Sequence, residues 1–171
     1  GTVLPAFDPQ LSGGALYDIN IYNLNLIIGL FGAPNSLIYQ AHKGFNGIDT
    51  SGVVLMSYPE FQALAIGAKD SGSPSTCLIQ GEKGWLKIET APNQLEKITC
   101  QIRGEDDLQE YALNQYPHRL SHEFAAFAAM LANKDFAARD LYLNISLQVA
   151  EAAEKARKQA GISFPADQQP H

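Results

Sequence analysis

The sequence predicts an α+β fold: one large, mostly antiparallel β-sheet with helices packed on one face. Three observations carry this. An amphipathic run opens the chain, a series of short β-prone runs fills its middle, and helical periodicity returns after Tyr116-Pro117. The links between the β-prone runs are too short for a crossover helix, so neighbouring strands are expected to pair antiparallel. At 171 residues with 46% hydrophobic content, the whole chain is expected to be one domain around one core.

The first helix is predicted over residues 14–31. Leu16, Ile19, Leu24, Ile27, Ile28 and Phe31 recur at three- and four-residue intervals, and Gly32 followed by Pro34 supplies a stop. Ser12-Gly13-Gly14 precedes it, where a hydroxyl can cap the first amides and glycine lets the chain turn tightly. Paired glycines are also a natural place for a backbone to approach a ligand.

Six strands follow at residues 36–42, 52–58, 61–68, 75–80, 84–88 and 97–102, with a seventh at 108–112. They form a broad meander. A sheet with helices on one side leaves its other face bare, and the alternation in Val53, Leu55, Phe61, Leu64 and Ile66 allows that face to be apolar. A second copy of the sheet is the expected cover. Leu120, Phe124, Phe127, Ala128 and Leu131 then mark a helix ending near Asn133, and Leu141, Ile145, Val149, Ala152 and Ala156 mark another over residues 136–160, closed by Gly161. The tail, with two prolines and two glutamines, is expected to fray beyond Phe164.

Composition removes several function classes. A formal net charge of -6 with no basic stripe argues against nucleic acid. The longest apolar stretch, residues 24–33, is interrupted by Asn25, Gly29 and Gly32 and falls short of the roughly 20 residues a bilayer requires, so no membrane partner is expected. The opening Gly1-Thr2-Val3-Leu4-Pro5 has no charged segment followed by an apolar one, and the cytoplasm is the expected location. Cys77 and Cys100 both fall in strands and read as reduced, structural thiols.

Candidate chemistry concentrates at the first helix. Asp18, Tyr22 and Asn25 stand at i, i+4 and i+7, a polar stripe on an otherwise apolar helix. Two readings are open. The stripe meets solvent or a partner helix, or the carboxylate orients a phenol one turn away that gives and takes a proton. His118 and His122 are four apart at the start of a later helix, but His122-Glu123 lacks the second histidine of a zincin and no metal is expected. Together with Tyr116 and Arg119 they form either a solvated helix start or a substrate-touching edge of a cleft. Trp85 reads as packing in a hairpin strand.

The run Asp8-Pro9 into Ser12-Gly13-Gly14-Ala15-Leu16-x-Asp18-x-x-x-Tyr22 resembles the segment joining the two halves of Gfo/Idh/MocA oxidoreductases. The resemblance continues along the chain. Leu30-Phe31-Gly32-Ala33-Pro34 is similar to the family's helix stop, Ile79-Gln80-Gly81-Glu82-Lys83-Gly84 to its glycine-rich hairpin, and Ala156-Arg157-Lys158-Gln159-Ala160-Gly161-Ile162 to its closing helix.

The resemblance implies that residues 1–171 are a C-terminal substrate-binding and oligomerisation domain of the dihydrodipicolinate-reductase-like kind, with the N-terminal Rossmann domain absent from this chain. It implies Asp18 and Tyr22 as catalytic residues working with a lysine of the Rossmann half. Gly13, Gly14, Asn25, His118 and His122 are the expected substrate contacts. Tyr22 departs from the histidine of inositol-dehydrogenase-like members and is similar to the tyrosine of the dihydrodiol-dehydrogenase and glucose–fructose oxidoreductase branches. NAD or NADP is implied for the full-length protein and none for this chain, which has no G-x-G-x-x-G and is expected to be inactive alone. Implied partners are the protein's own Rossmann domain, a small sugar, polyol or related hydroxyl or carbonyl substrate, and a second copy in a dimer or tetramer. A non-catalytic sugar-sensing or dimerisation module with the same architecture is the alternative.

Overall fold

The structure, a computed structural model, describes residues 4–112 and 114–168. It is α+β, and its strands pair antiparallel throughout. Instead of one meander, the strands divide between two sheets, of order β1-β2-β3 and β4-β5-β6-β7. The link between β3 and β4 contains Gly72 and Pro74, and proline has no N–H to give a ladder. The chain correspondingly forms two compact units, Gly1–Gly72 with Leu141–His171, and Ser73–Asp140.

In the first unit, β1 (Ser36–Lys43), β2 (Asp49–Ser57) and β3 (Gln62–Ala68) form the sheet. Strict alternation sends Leu37, Tyr39, Val54, Met56 and Ala65 to one face, where they are buried. Against them pack Leu24 and Ile28 of α1 (Ile21–Phe31) and Val149, Ala152, Ala153 and Ala156 of α3 (Phe136–Gln159). The three alanines let the α3 backbone lie close to the sheet. Each fully buried leucine or isoleucine here contributes about 1.5–3 kcal/mol. The opposite face carries the cross-strand pairs Ile38 with Leu55, Leu55 with Leu64, and Val53 with Ile66. Ile38, Val53, Leu64 and Ile66 are exposed, so the expectation of a bare apolar face holds.

The helix stop also holds. Gly32 adopts φ 76°, and its N–H donates to the Ile28 carbonyl at 2.8 Å. The helix start does not run as expected, because Leu16–Asn20 forms a π-turn ahead of α1.

The tail is a correction. Residues 165–168 form a single turn rather than fraying, because Arg157, almost wholly buried, grips Asp167 with two hydrogen bonds of 2.6 and 2.7 Å. The same guanidinium donates to the Ile162 carbonyl at 2.9 Å and lies 4.4 Å from the Phe164 ring centroid. Residues 169–171 lie outside the described residues.

In the second unit, β4 (Cys77–Gly81), β5 (Gly84–Ile88), β6 (Ile98–Ile102) and β7 (Gln109–Tyr111) form the other sheet. Gly84, at φ 150°, closes the β4–β5 hairpin. Cys77 and Cys100 are free thiols on β4 and β6, and burial pushes the Cys77 thiol up. The predicted apolar side of α2 (Arg119–Asn133), with Leu120, Phe124, Phe127 and Leu131, is exposed. No helix among the described residues is long and apolar enough to cross a membrane.

The Arg157 guanidinium, helped by the Phe164 N–H, holds the Asp167 carboxyl well below the usual carboxylate range. A carboxyl depressed in the folded state stabilises fully above its unfolded value of 3.8 and loses that contribution as pH falls through the folded value. The urea midpoint of Asp167→Asn is therefore expected below that of the parent at pH 7, with the gap narrowing as the series is taken below pH 4. A gap independent of pH would contradict this account.

Candidate functional site

The site begins where the chain enters the first unit, through single turns at Pro5–Phe7 and Pro9–Leu11. Ser12, at φ 57°, and Gly14, at φ 128°, then reverse the chain. Both glycines of the pair are buried. A side chain on Gly13 would sit 2.8 Å from the Ala6 carbonyl, and one on Gly14 would strike the Asp49 carboxylate. Their N–H groups donate to Asp8 and Ala6 carbonyls, each at 2.9 Å. The close approach expected of Gly13 and Gly14 is thus made to the protein's own backbone and to Asp49, and their amides are already taken.

The cap for the helix comes from elsewhere than Ser12. Asp49, on β2 and 2% exposed, accepts from the Leu16 N–H at 2.6 Å and from the Tyr39 hydroxyl at 2.6 Å. A carboxylate at a helix start meets unpaired amides and the positive end of the dipole. Burial, then the neighbouring Asp49, raises the Tyr39 hydroxyl far above the ordinary phenol range. Along the other side, the Asn20 amide donates to the Ala65 carbonyl at 3.1 Å, and the Asn23 amide to the Ile66 carbonyl at 3.0 Å. Gly67 leaves room for this, since a side chain there would lie 2.9 Å from Asn20.

The predicted stripe is present on this anchored segment. Asp18 lies in the π-turn, and π-bulges recur at functional sites. Tyr22 lies in the first turn of α1 and Asn25 one turn on. The Asp18 side chain is 49% exposed and Tyr22 45%. Asn25 is exposed too, with its amide donating back to the Ile21 carbonyl at 2.8 Å.

Two residues of this site were not foreseen. Asp49 read as part of a turn, and so did Lys69, which follows β3. The Lys69 ammonium lies 2.7 Å from an Asp18 carboxylate oxygen, donates to the Ala6 carbonyl at 2.7 Å, and sits 4.3 Å from the Phe7 ring centroid.

His118 and His122 belong to the second unit. His118 caps α2 by accepting the Leu120 N–H on Nδ1 at 3.3 Å. The His122 ring meets Tyr116 edge-on at 4.9 Å, and its buried Nε2 finds no protein partner. With Pro92, Leu95 and Asn114 they line a cavity of about 470 Å³. Among the described residues no three potential metal-binding side chains come together.

An antiparallel apolar sheet backed by helices agrees with the comparisons, which put the chain with the C-terminal domains of the Gfo/Idh/MocA family. Residues 5–87 match the family model described as the GFO/IDH/MocA C-terminal domain. Scyllo-inositol 2-dehydrogenase (NADP(+)) IolU of Bacillus subtilis (strain 168) is 34% identical over 168 residues, which cover 98% of this chain and 51% of that protein. Among solved structures, KijD10, a 3-ketoreductase from Actinomadura kijaniata, superposes with a TM-score of 0.68 at 16% identity over 86% of this chain and 47% of its own. The aldose-aldose oxidoreductase from Caulobacter crescentus, complexed with glycerol, gives 0.64 at 20% identity over 91% and 51%. At those identities the likeness concerns the fold. The chain spans about half the length of the curated relatives it matches.

The Gly13-Gly14 turn does not fit the pyrophosphate of a nicotinamide dinucleotide. Such a group needs free backbone amides at a glycine turn, and the amides of Gly13 and Gly14 are bonded to Asp8 and Ala6.

The Asp49 cluster makes a stability prediction. Tyr39→Phe removes one of two donors from a buried carboxylate and is expected to cost roughly 1.5–3 kcal/mol by urea denaturation. A loss within experimental error would show that Asp49 does not need the hydroxyl.

Proposed function

We propose that this chain is the substrate-facing and oligomerising part of an NAD(P)-dependent oxidoreductase acting on a sugar, polyol or related hydroxyl or carbonyl compound. The observation that carries the reading is the pair Asp18 and Tyr22, one turn apart, half-exposed, and mounted on a helix start pinned by Asp49. The relatives support the reaction class. IolU is by name an NADP(+)-dependent inositol dehydrogenase. A trans-1,2-dihydrobenzene-1,2-diol dehydrogenase from Mus musculus is also similar, at 26% identity. The cofactor belongs, in this reading, to an N-terminal Rossmann domain of the full-length protein; the Gly13 and Gly14 amides, already bonded to the Asp8 and Ala6 carbonyls, are consistent with that.

In this reading Tyr22 exchanges the proton of the reacting hydroxyl: its oxygen takes that proton on oxidation and returns it on reduction. Asp18 orients the phenol and the hydroxyl, and Asn25 offers a further hydrogen bond one turn along. Gly13 and Gly14 shape the turn that aims the helix. His118 and His122 are read as substrate contacts of the second unit, where the buried His122 Nε2 has no protein partner.

The bare face of the β1–β3 sheet is the oligomer interface. Leu64 and Ile66 are 62% and 65% exposed beside Ile38, a contiguous apolar surface of the kind soluble proteins cover. A second copy presents a complementary sheet.

Two experiments follow. In the full-length protein, supplied with NAD+ or NADP+ and scyllo-inositol or an aldose, Tyr22→Phe is expected to lower kcat by roughly 10²–10⁴-fold; unaltered turnover would rule out the proton role. In sedimentation, the parent is expected as a dimer or larger, and Leu64→Glu as a monomer with unchanged circular dichroism. A parent that sediments as a monomer at micromolar concentration removes the interface.

A further inference from the structure

We propose that Lys69 is a positioning residue for the same reaction, fixing the Asp18 carboxylate in the orientation that Tyr22 requires. This rests on the reading of Asp18 and Tyr22 given above.

The two partners of the ion pair are unlike. The Asp18 side chain is 49% exposed, whereas that of Lys69 is 7% exposed. Ion pairs between two exposed, mobile side chains contribute little, because holding both in one geometry costs side-chain entropy. Here the cation is already immobile. Its backbone N–H donates to the Thr50 carbonyl at 2.8 Å, which anchors the residue to the sheet. Its ammonium meets the Ala6 carbonyl, the Asp18 carboxylate and the face of Phe7. A buried ammonium with these three neighbours has nowhere else to turn, so the carboxylate it holds is confined as well.

Confinement leaves part of the carboxylate usable. Lys69 engages Oδ2, and Oδ1 has no side-chain hydrogen-bond partner among the described residues. One oxygen is held and the other is free to accept from the phenol or from a substrate hydroxyl. Without Lys69, Asp18 would explore several rotamers at a half-open surface. An oxygen displaced by about 1 Å from a reacting group can lower the rate by about 10²-fold.

A purely structural lysine would tie residues 5–8 to the fold with no effect on turnover beyond lost stability. The tests separate the two roles. In the full-length protein, on whichever of the above substrates Tyr22→Phe slows, Lys69→Met is expected to lower kcat about 10- to 100-fold while KM changes less than about threefold. Lys69→Arg is expected to retain most of the rate. In an Asp18→Asn background Lys69→Met should cause no further loss, because the two residues act as one unit. Full kcat in Lys69→Met beside a slow Tyr22→Phe would overturn the positioning role alone, whereas unaltered turnover in both would overturn the proton role and this inference with it.

Should Lys69→Met fail to fold, the Asp18→Asn variant, which keeps Lys69, still decides. A measurement free of turnover is 15N NMR of the lysine ammonium groups in this chain. One slowly exchanging signal is expected, absent from Lys69→Arg and broadened by fast exchange in Asp18→Asn. A Lys69 signal indifferent to Asp18→Asn would overturn the proposal.

Discussion

The first unit is organised around one buried carboxylate. Taking a carboxyl group such as that of Asp49 out of water is costly unless hydrogen bonds replace the lost hydration. The Leu16 amide and the Tyr39 hydroxyl do so, and each needs its own local permission. Gly14 must lack a side chain for the carboxylate to reach the helix start, and Gly52 must lack one where the Tyr39 ring crosses β2. Asp49, Leu16, Tyr39, Gly14 and Gly52 therefore behave as a single device joining α1, β1 and β2. The direction of the π-turn, and with it the outlook of Asp18, follows from where that device grips the chain.

Parts of this were readable in the sequence and parts were not, for a consistent physical reason. Alternation in Leu37, Ile38 and Tyr39 or Leu64, Ala65 and Ile66 is a local signal, and the strands lie close to where it puts them. The helix stop at Gly32 is local too. The polar stripe of Asp18, Tyr22 and Asn25 was visible because it interrupts an apolar period. Asp49 was not, since Gly-Ile-Asp-Thr reads as a turn and its partner Leu16 lies 33 residues away. Lys69 read as a turn residue for the same reason, its acceptor at Ala6 being 63 positions back. Arg157 lies in the last turn of α3, and only the fold shows it as the anchor of the tail. The π-turn differs from an α-turn by one residue of hydrogen-bond spacing, which no side-chain periodicity over five residues can report.

The sheet of the first unit has two unlike faces. One is filled by Leu24, Ile28 and the alanines of α3, a surface whose small residues set how near the helices lie. The other is a row of branched aliphatic side chains whose cross-strand pairs are complete but whose outer surface is open. At the helix start and the β3 end, Asn20, Asn23 and Lys69 satisfy the Ala65, Ile66 and Ala6 carbonyls. The open face and the helix start are built from separate side chains, so on the proposed function their substitutions act separately, the first on assembly and the second on reaction.

The contacts of residues 5–8 join these themes. The Ala6 carbonyl accepts from both the Gly14 N–H and the Lys69 ammonium, the Phe7 carbonyl accepts from the Asn46 amide at 2.6 Å, and the Asp8 carbonyl accepts from the Gly13 N–H. Each bond ends on an element that also holds the candidate site: the helix start, the end of β3, or the loop before Asp49. A shift of this short segment cannot be absorbed by it alone, since three successive carbonyls are engaged. It would loosen the Lys69 ammonium, and through that ammonium the Asp18 carboxylate. The orientation of the Asp18 carboxylate is in this way made dependent on the seating of residues 5–8.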